Sequence, residues 1–167
     1  AGLSGLTSYV LKPTDYLQLD RCQLKYLRVM MKGRATNWSD DGQVRTLSNH
    51  RIWAHWQLVP TALELAAQRL KMYQAILATR ETNAHILIVL FGDLPHEAQP
   101  TIDQNGCPTA AANPWARQFL TDINMLASLD GTDDFIQRFA GSVKRLVDDD
   151  DLRQDFLAID IQQLRTS

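Results

Sequence analysis

Residues 61–79 read TALELAAQRLKMYQAILAT, and this stretch carries the clearest helical pattern in the chain. When successive residues are rotated by about 100°, its apolar side chains fall within an arc of about 120°. They are Leu63, Ala66, Ala67, Leu70, Tyr73 and Leu77. Pro60 comes just before and suits the first turn of a helix. The two alanines predict that another helix packs closely against this one.

A second helical pattern covers residues 14–33 and has two faces. Four cations recur at spacings of four, three and four residues and fall within roughly 60° of one another. They form a basic stripe of Arg21, Lys25, Arg28 and Lys32. An adjoining arc is apolar and contains Tyr16, Leu17, Leu24, Leu27 and Met31. Such a helix can dock on a core and still present cations to an acidic partner.

Residues 84–91 (AHILIVLF) are ambiguous between strand and helix. Their β-branched residues suit a buried strand. No second strand of comparable quality exists to pair with it, and a lone strand would leave its backbone polar groups unsatisfied. We therefore predict a short buried helix here. Residues 34–44 (RATNWSDDGQV) are interpreted as a polar surface connection, without a confident β-hairpin signal.

Further helices are predicted after the capping residue Ser48, from Pro114, after Thr132 and within residues 149–164. Residues 93–113 contain three prolines and a glycine, and predict a long irregular connection.

We accordingly expect an all-α protein of about six or seven helices in two lobes. The first lobe would be residues 1–92, which include the basic helix 14–33. Residues 93–113 would form the connection, and residues 114–167 the second helical lobe.

Composition restricts the class of protein. The chain has 167 residues, of which 45% are hydrophobic and 22% charged, as in ordinary globular domains. Its net charge is −2 and its pI about 6.1. Because dedicated nucleic-acid-binding domains more often have a pI above about 9, any such binding must come from a local patch.

The two cysteines, Cys22 and Cys107, exclude a disulfide framework and a four-cysteine zinc site built from this chain alone. Two separate thiols favour a reducing, intracellular compartment. The sequence leaves the compartment open, with the nucleus and organelles among the candidates. No run reaches the roughly 20 apolar residues of a transmembrane segment. The chain begins at Ala1, and we expect a processed or excised piece.

No catalytic set emerges from the sequence. The four histidines have no carboxylate or cysteine at ligand spacing, and we expect structural or surface roles for His50, His55, His85 and His96. The acidic run 148–151 is interpreted as a helix N-terminal cap. Nucleophile elbows and phosphate-binding glycine loops are missing. We expect no enzyme, no cofactor, no metal and no small-molecule substrate.

Several segments carry a family resemblance. They are residues 24–34 (LKYLRVMMKGR), 48–56 (SNHRIWAHW), 63–76 (LELAAQRLKMYQAI), 83–85 (NAH), 89–92 (VLFG), 114–116 (PWA) with Phe119, and 156–164. In this order they resemble the region downstream of the polymerase core in non-LTR retrotransposon reverse transcriptases of the dinoflagellate type. The resemblance implies a helical appendage within reach of template or RNA. The polymerase motif Tyr-x-Asp-Asp is not in this chain, so no catalytic residue is carried over.

The sequence thus predicts a non-catalytic helical binding module that makes weak, sequence-independent contact with nucleic acid (RNA or DNA), or contacts a protein. The candidate contact residues are Arg21, Lys25, Arg28, Lys32 and Arg34. The alternative is a structural or accessory subunit of a large protein assembly, which could be organellar.

Overall fold

The computed structural model describes residues 5–38, 42, 44–91, 114–127 and 145–161. After a 3₁₀ turn at Leu6–Ser8, the elements are α1 (Pro13–Met30), β1 (Thr36–Trp38), β2 (Val44–Thr46), α2 (Asn49–Trp56), α3 (Thr61–Ala78), α4 (Ala84–Phe91), α5 (Pro114–Ala127), α6 (Arg145–Asp148) and α7 (Asp150–Leu157). Seven α-helices and two three-residue strands in the described residues confirm the predicted all-α fold. In these ranges no helix combines the length and the apolar character needed to cross a lipid bilayer.

The chain divides into two compact units. The smaller unit is Leu11–Glu64, and the larger unit is Ala1–Val10 together with Leu65–Ser167. The boundary therefore falls inside α3. The predicted connection 93–113 and the helix expected after Thr132 lie outside the described residues, and the two-lobe arrangement is not confirmed.

Two uncertain helix assignments are settled by the structure. The ambiguous segment 84–91 is helical, as predicted, and the carbonyl of Asn83 accepts hydrogen bonds from the amides of Ile86 and Leu87. The helix expected after Ser48 is also present, because Ser48 Oγ accepts from the amide of Arg51 at 3.4 Å. A side-chain cap thus accompanies the start of α2, whereas the helix at 84–91 was predicted from the lack of a partner strand.

The core of the smaller unit forms where the last turns of α1 meet α2. Its buried members are Leu24, Leu27, Met31 and Ile52, with Ala35, Leu47, Trp53 and Trp56 packed against them. Burial of each large aliphatic side chain stabilises the fold by about 1.5–3 kcal/mol. The expectation that Leu17 joins this apolar arc is wrong, since its side chain is 57% exposed. Leu17 lies about 20° around the helix from the buried Leu24, but two turns before it and thus away from the core where α1 meets α2.

A short hairpin occupies the segment that was interpreted as a surface connection. Strands β1 and β2 pair antiparallel, with Thr36 opposite Thr46 and Trp38 opposite Val44. Gly42 has a φ of +74°, which glycine adopts without strain. The Asp41-Gly42 dipeptide is a recognised hairpin signal. The sequence interpretation missed it because the flanking strands have only three residues each.

Two polar side chains of α1 satisfy the backbone at the start of α3. Asp20 Oδ1 accepts from the amide of Ala62 at 2.9 Å. Gln23 Oε1 accepts from the amide of Thr61 at 3.0 Å and from the indole of Trp53 at 2.8 Å, while its amide nitrogen donates to the carbonyl of Val59. The first amides of a helix have no partner within it, and the preceding proline offers no side-chain acceptor. Helix α1 therefore provides the cap of α3.

In the larger unit, α3 packs on α5 through a buried ion pair. Arg69 donates from Nε to Asp122 Oδ2 at 2.6 Å and from Nη2 to Asp122 Oδ1 at 2.7 Å. Both side chains are 0% exposed. The amide of Gln118 also donates to Asp122 Oδ1, at 3.1 Å. This two-bond geometry is the one in which arginine and carboxylate interact most strongly.

An aromatic series extends the same packing toward α7. The rings of Tyr73 and Phe119 meet edge to face with centroids 4.5 Å apart, and Phe119 contacts Phe156 at 5.8 Å. The amide of Gln74 donates to the carbonyls of Phe156 and Ile159 at 2.9 and 3.0 Å. Helix α3 is thus joined to α5 and α7 by apolar and polar contacts.

We expect Asp20→Ala to lower the free energy of unfolding by about 1 kcal/mol, because the cap of α3 is lost. Burial raises the pKa of Asp20, against the opposing effect of the amides of Ala62 and Thr61. Ionised Asp20 is therefore disfavoured in the folded state, and its contribution to stability decreases as pH rises through the raised pKa. Asp20→Asn keeps an acceptor oxygen without the charge. In urea denaturation, the free energy of unfolding of Asp20→Asn minus that of the wild type should increase between pH 4 and pH 7. A decrease in this difference would contradict the assignment of a raised pKa to Asp20.

The ion pair gives a second prediction. Asp122→Ala should destabilise the protein by about 3–5 kcal/mol, because a buried guanidinium loses its carboxylate. The double variant Arg69→Met with Asp122→Leu should recover most of that loss, since no buried charge remains. Arg80→Met is the control at the more exposed pair with Asp150, where the two side chains are 38% and 68% exposed, and should cost about 1 kcal/mol or less. Urea unfolding of the variants tests the order, and equal losses for Asp122→Ala and Arg80→Met would refute it.

Candidate partner-binding surface

Two of the predicted contact residues lie on α1 with their side chains in solvent. Arg21 and Lys25 are one turn apart, and both are exposed. Neither side chain has a hydrogen bond or an ion pair with another residue in the part of the chain that the structure describes. Their charges are therefore available to a ligand.

The other end of the predicted stripe does not continue the helical row. Helix α1 ends at Met30, three residues before the predicted end at Gly33. Lys32 and Gly33 have φ angles of +47° and +85°, so the chain turns through the left-handed region. Lys32 and Arg34 are exposed in this turn, outside the helical row of Arg21 and Lys25.

Arg28, the central residue of the predicted stripe, makes hydrogen bonds within the smaller unit. It is half-buried, and its Nη2 donates to the carbonyl of Leu47 at 3.3 Å and to Asn49 Oδ1 at 2.8 Å. These two acceptors lie where the chain leaves β2 and enters α2. The guanidinium of Arg28 therefore fixes this entry, and its donors are partly occupied.

Helix α1 has a third face that was not singled out from the sequence. Its large side chains are in solvent: Tyr26 is 70% exposed, Val29 69% and Met30 53%. Cys22, a free and exposed thiol, lies one turn before Tyr26. These four residues, the apolar face of α1, fall within about 100° of one another, opposite the buried Leu24 and Leu27.

The apolar face has a cationic border on one side. Lys25 lies about 40° around the helix from Val29, and Arg21 is one turn before Lys25. The other border is occupied by Gln23, whose amide is used in the cap of α3. Charge is therefore distributed asymmetrically around the apolar face.

The signal for this face was present in the sequence. Cys22, Tyr26, Val29 and Met30 are spaced by four, three and one residues, as on one side of a helix. The sequence interpretation assigned one apolar arc and one basic stripe to residues 14–33. It overlooked that α1 has more apolar residues than a single buried side can cover.

Two tryptophans near the cations are used within the smaller unit. Trp53 is half-buried, and its indole donates to Gln23 at 2.8 Å. Trp56 is also half-buried, and its Nε1 is shielded from solvent with no acceptor among the described residues. Both rings pack on the core cluster around Ile52. Stacking on nucleic-acid bases would require them to leave it.

The histidines do not form a site in the described residues. His50, His55 and His85 are exposed, and His96 lies outside the described residues. No group of three or more His, Cys, Asp or Glu side chains is arranged to hold a metal ion within the ranges that the structure covers.

The acidic run acts as the predicted helix cap. Asp149 Oδ1 accepts from the amide of Leu152 at 3.1 Å, which caps α7. Asp150 accepts from Arg80 Nη1 at 3.0 Å and from Arg153 Nη2. Burial and the nearby charge of Arg80 lower the pKa of Arg153. The acidic side chains here bind helix amides and neighbouring arginines of the same unit.

A polar cleft of about 480 Å³ adjoins these arginines. Its lining includes Thr79, Arg80, Glu81, Asp150 and Arg153. Asp150 already binds both guanidiniums, and with Glu81 the lining has two negative and two positive side chains, so its charges balance within the protein. The cleft therefore carries less ligand-binding potential than the exposed side of α1.

Comparison with known proteins adds no relative. No protein-family model, no curated protein and no solved structure matches this chain. The resemblance to the reverse-transcriptase appendage therefore stays a prediction from residues alone.

The two arginines of α1 should respond differently to charge reversal. Arg28→Glu should lower the free energy of unfolding by about 1–2 kcal/mol, because Leu47 and Asn49 lose their donor. Arg21→Glu should change it by about 0.5 kcal/mol or less, as at an ordinary surface position. Urea denaturation of both variants checks this, and equal effects would show that Arg28 is not a structural anchor.

Proposed function

We propose that this chain is a non-catalytic helical binding module that holds a protein partner on the apolar face of α1. The observation that carries the proposal is the contiguous exposure of Tyr26, Val29 and Met30 on one helix. Single exposed apolar residues are common on protein surfaces. A contiguous apolar patch bordered by polar residues is instead typical of an interaction site.

Helix recognition is the binding mode that fits this geometry. Residues at i, i+3 and i+4, here Tyr26, Val29 and Met30, are the usual anchors when a helix face meets a partner groove or a second helix. The patch is confined to about two turns of one helix, whereas each partner in a standard interface buries roughly 800 Å² with about 20–30 residues. The chain would therefore act as an accessory or structural subunit whose contact is weak or is extended by other surfaces.

Nucleic acid is the second candidate ligand, favoured by the exposed cations Arg21, Lys25, Lys32 and Arg34. If these four cations contacted four phosphates of a single-stranded nucleic acid, the logarithm of the binding constant would fall with the logarithm of the salt concentration at a slope of about −3. Such binding is weak and independent of sequence, and the resemblance to a retroelement appendage implies a place within reach of template or RNA. We rank it second because the net charge is −2 and because Trp53 and Trp56 pack on the core.

Recovery of partners with a tagged full-length chain expressed in its own cells tests the proposal. Val29→Glu should abolish recovery of the partner, because it places a charge in the centre of the apolar face. Leu17→Glu is the matched control, since Leu17 is also an exposed aliphatic residue of α1 but lies about 120° away. Recovery with this control should equal that of the wild type.

Nuclease treatment separates the two candidates in the same experiment. A protein partner on the apolar face should stay bound after the treatment. Recovery that is lost on nuclease treatment, and that Arg21→Glu with Lys25→Glu also abolishes, would replace the protein partner by nucleic acid. Equal recovery with Val29→Glu and with the wild type would refute any role of this face. Circular dichroism of each variant should match the wild type.

A further inference from the structure

The pattern of the apolar face resembles one side of a coiled-coil helix. Cys22, Tyr26 and Val29 are spaced by four and three residues, as seam positions are. In that register Lys25 precedes a seam residue and Met30 follows one, so they occupy the two flanking positions. One flank is thus cationic and the other apolar.

The length of the face defines the size of the contact. From Cys22 to Met30 the helix rises about 12 Å, or two turns. A second helix that packs along this line would place its own apolar row on Tyr26 and Val29. Its neighbouring row would then face Lys25, and Arg21 lies one turn earlier and about 40° farther around the helix.

The charges disfavour a second copy of this chain as the occupant. In an antiparallel pair of identical helices, Lys25 would lie opposite the same lysine, and like charges at flanking positions repel. In a parallel pair Lys25 would face Met30 and gain no ionic partner. Flanking charges are the feature that selects partner and orientation in helix pairs.

A partner helix with an apolar row and an acidic row would complement both the apolar face of α1 and the cations beside it. Arg21 and Lys25 are exposed and make no ion pair in the described residues, so carboxylates of a partner can reach them. We infer that the apolar face of α1 binds an amphipathic helix of another protein, with an apolar row on Tyr26 and Val29 and a row of Glu or Asp beside Arg21 and Lys25. This inference rests on the proposed function and defines the chemistry of the partner.

Because the exposed thiol of Cys22 lies on the apolar face, a mixed disulfide with Cys22 can report how well a peptide binds there. The full-length chain with Cys107→Ser is equilibrated with synthetic helical peptides, each with one cysteine in its apolar row. One peptide has Glu along the flank, the second has Lys at the same positions, and the third is a scrambled sequence. The buffer contains 2-mercaptoethanol and its disulfide, which accepts the two electrons released by the two thiols, and intact mass spectrometry then gives the equilibrium constant of each mixed disulfide.

We expect the Glu peptide to form the mixed disulfide with an equilibrium constant about fivefold higher than that of the Lys peptide, as two exposed ion pairs would give. Lys25→Glu should remove or reverse this preference. Arg51→Glu is the matched control, since it changes the net charge equally at an exposed position of α2 and should leave the preference unchanged.

The failures of the two proposals are distinguishable. Equal constants for the Glu and Lys peptides, both above the scrambled peptide, would overturn the acidic partner and leave the apolar face as a protein-binding site. Constants no higher than that of the scrambled peptide would overturn both. A Cys22–Cys22 dimer that forms in preference to either peptide would identify a second copy as the occupant. Single-stranded RNA that displaces the Glu peptide in the wild type and in Tyr26→Glu alike would identify nucleic acid.

Discussion

The ion pair between Arg69 and Asp122 is the constraint on which the larger unit depends. Two charges without solvent exposure carry a desolvation cost that only close, two-bond geometry with a further donor can offset. That geometry fixes the register of α3 on α5. Tyr73, one turn after Arg69, then meets Phe119, one turn before Asp122, so the two helices run antiparallel. Apolar packing alone would allow neighbouring registers that this pair excludes.

The helices of this fold could be predicted from periodicity and caps, but the ion pair could not. Residues 61–79 show their helical pattern locally, and the described part of that helix, Thr61–Ala78, agrees with it. Arg69 lies beside the predicted apolar arc, and the sequence does not single it out. Its partner is 53 residues away along the chain, and nothing local connects them. Leu65, also outside the arc, is 0% exposed, so α3 is buried around more of its circumference than one sequence can indicate.

At the candidate site, too, the sequence could not show contacts between residues that are distant along the chain. Charge spacing predicted four cations on one helix, but only Arg21, Lys25 and Arg28 lie on α1, and the spacing could not indicate which of them the fold would use. Arg28 is occupied because the chain returns through Leu47 and Asn49, which are close to it only in three dimensions. Likewise, Val29 and Leu27 are equally apolar in the sequence. Only the position of α2 decides that Leu27 is covered and Val29 is not.

The capping role of α1 connects the fold to the proposed binding. Asp20 and Gln23 attach one side of the helix to the start of α3, and Arg28 attaches a second side to the entry of α2. Because these bonds are directional, they restrict rotation of α1 about its own axis within the smaller unit. Tyr26 and Val29 are therefore presented by a helix whose orientation is already fixed. A preformed surface loses less conformational freedom on binding than a mobile one, which makes even a two-turn contact useful as part of a larger assembly.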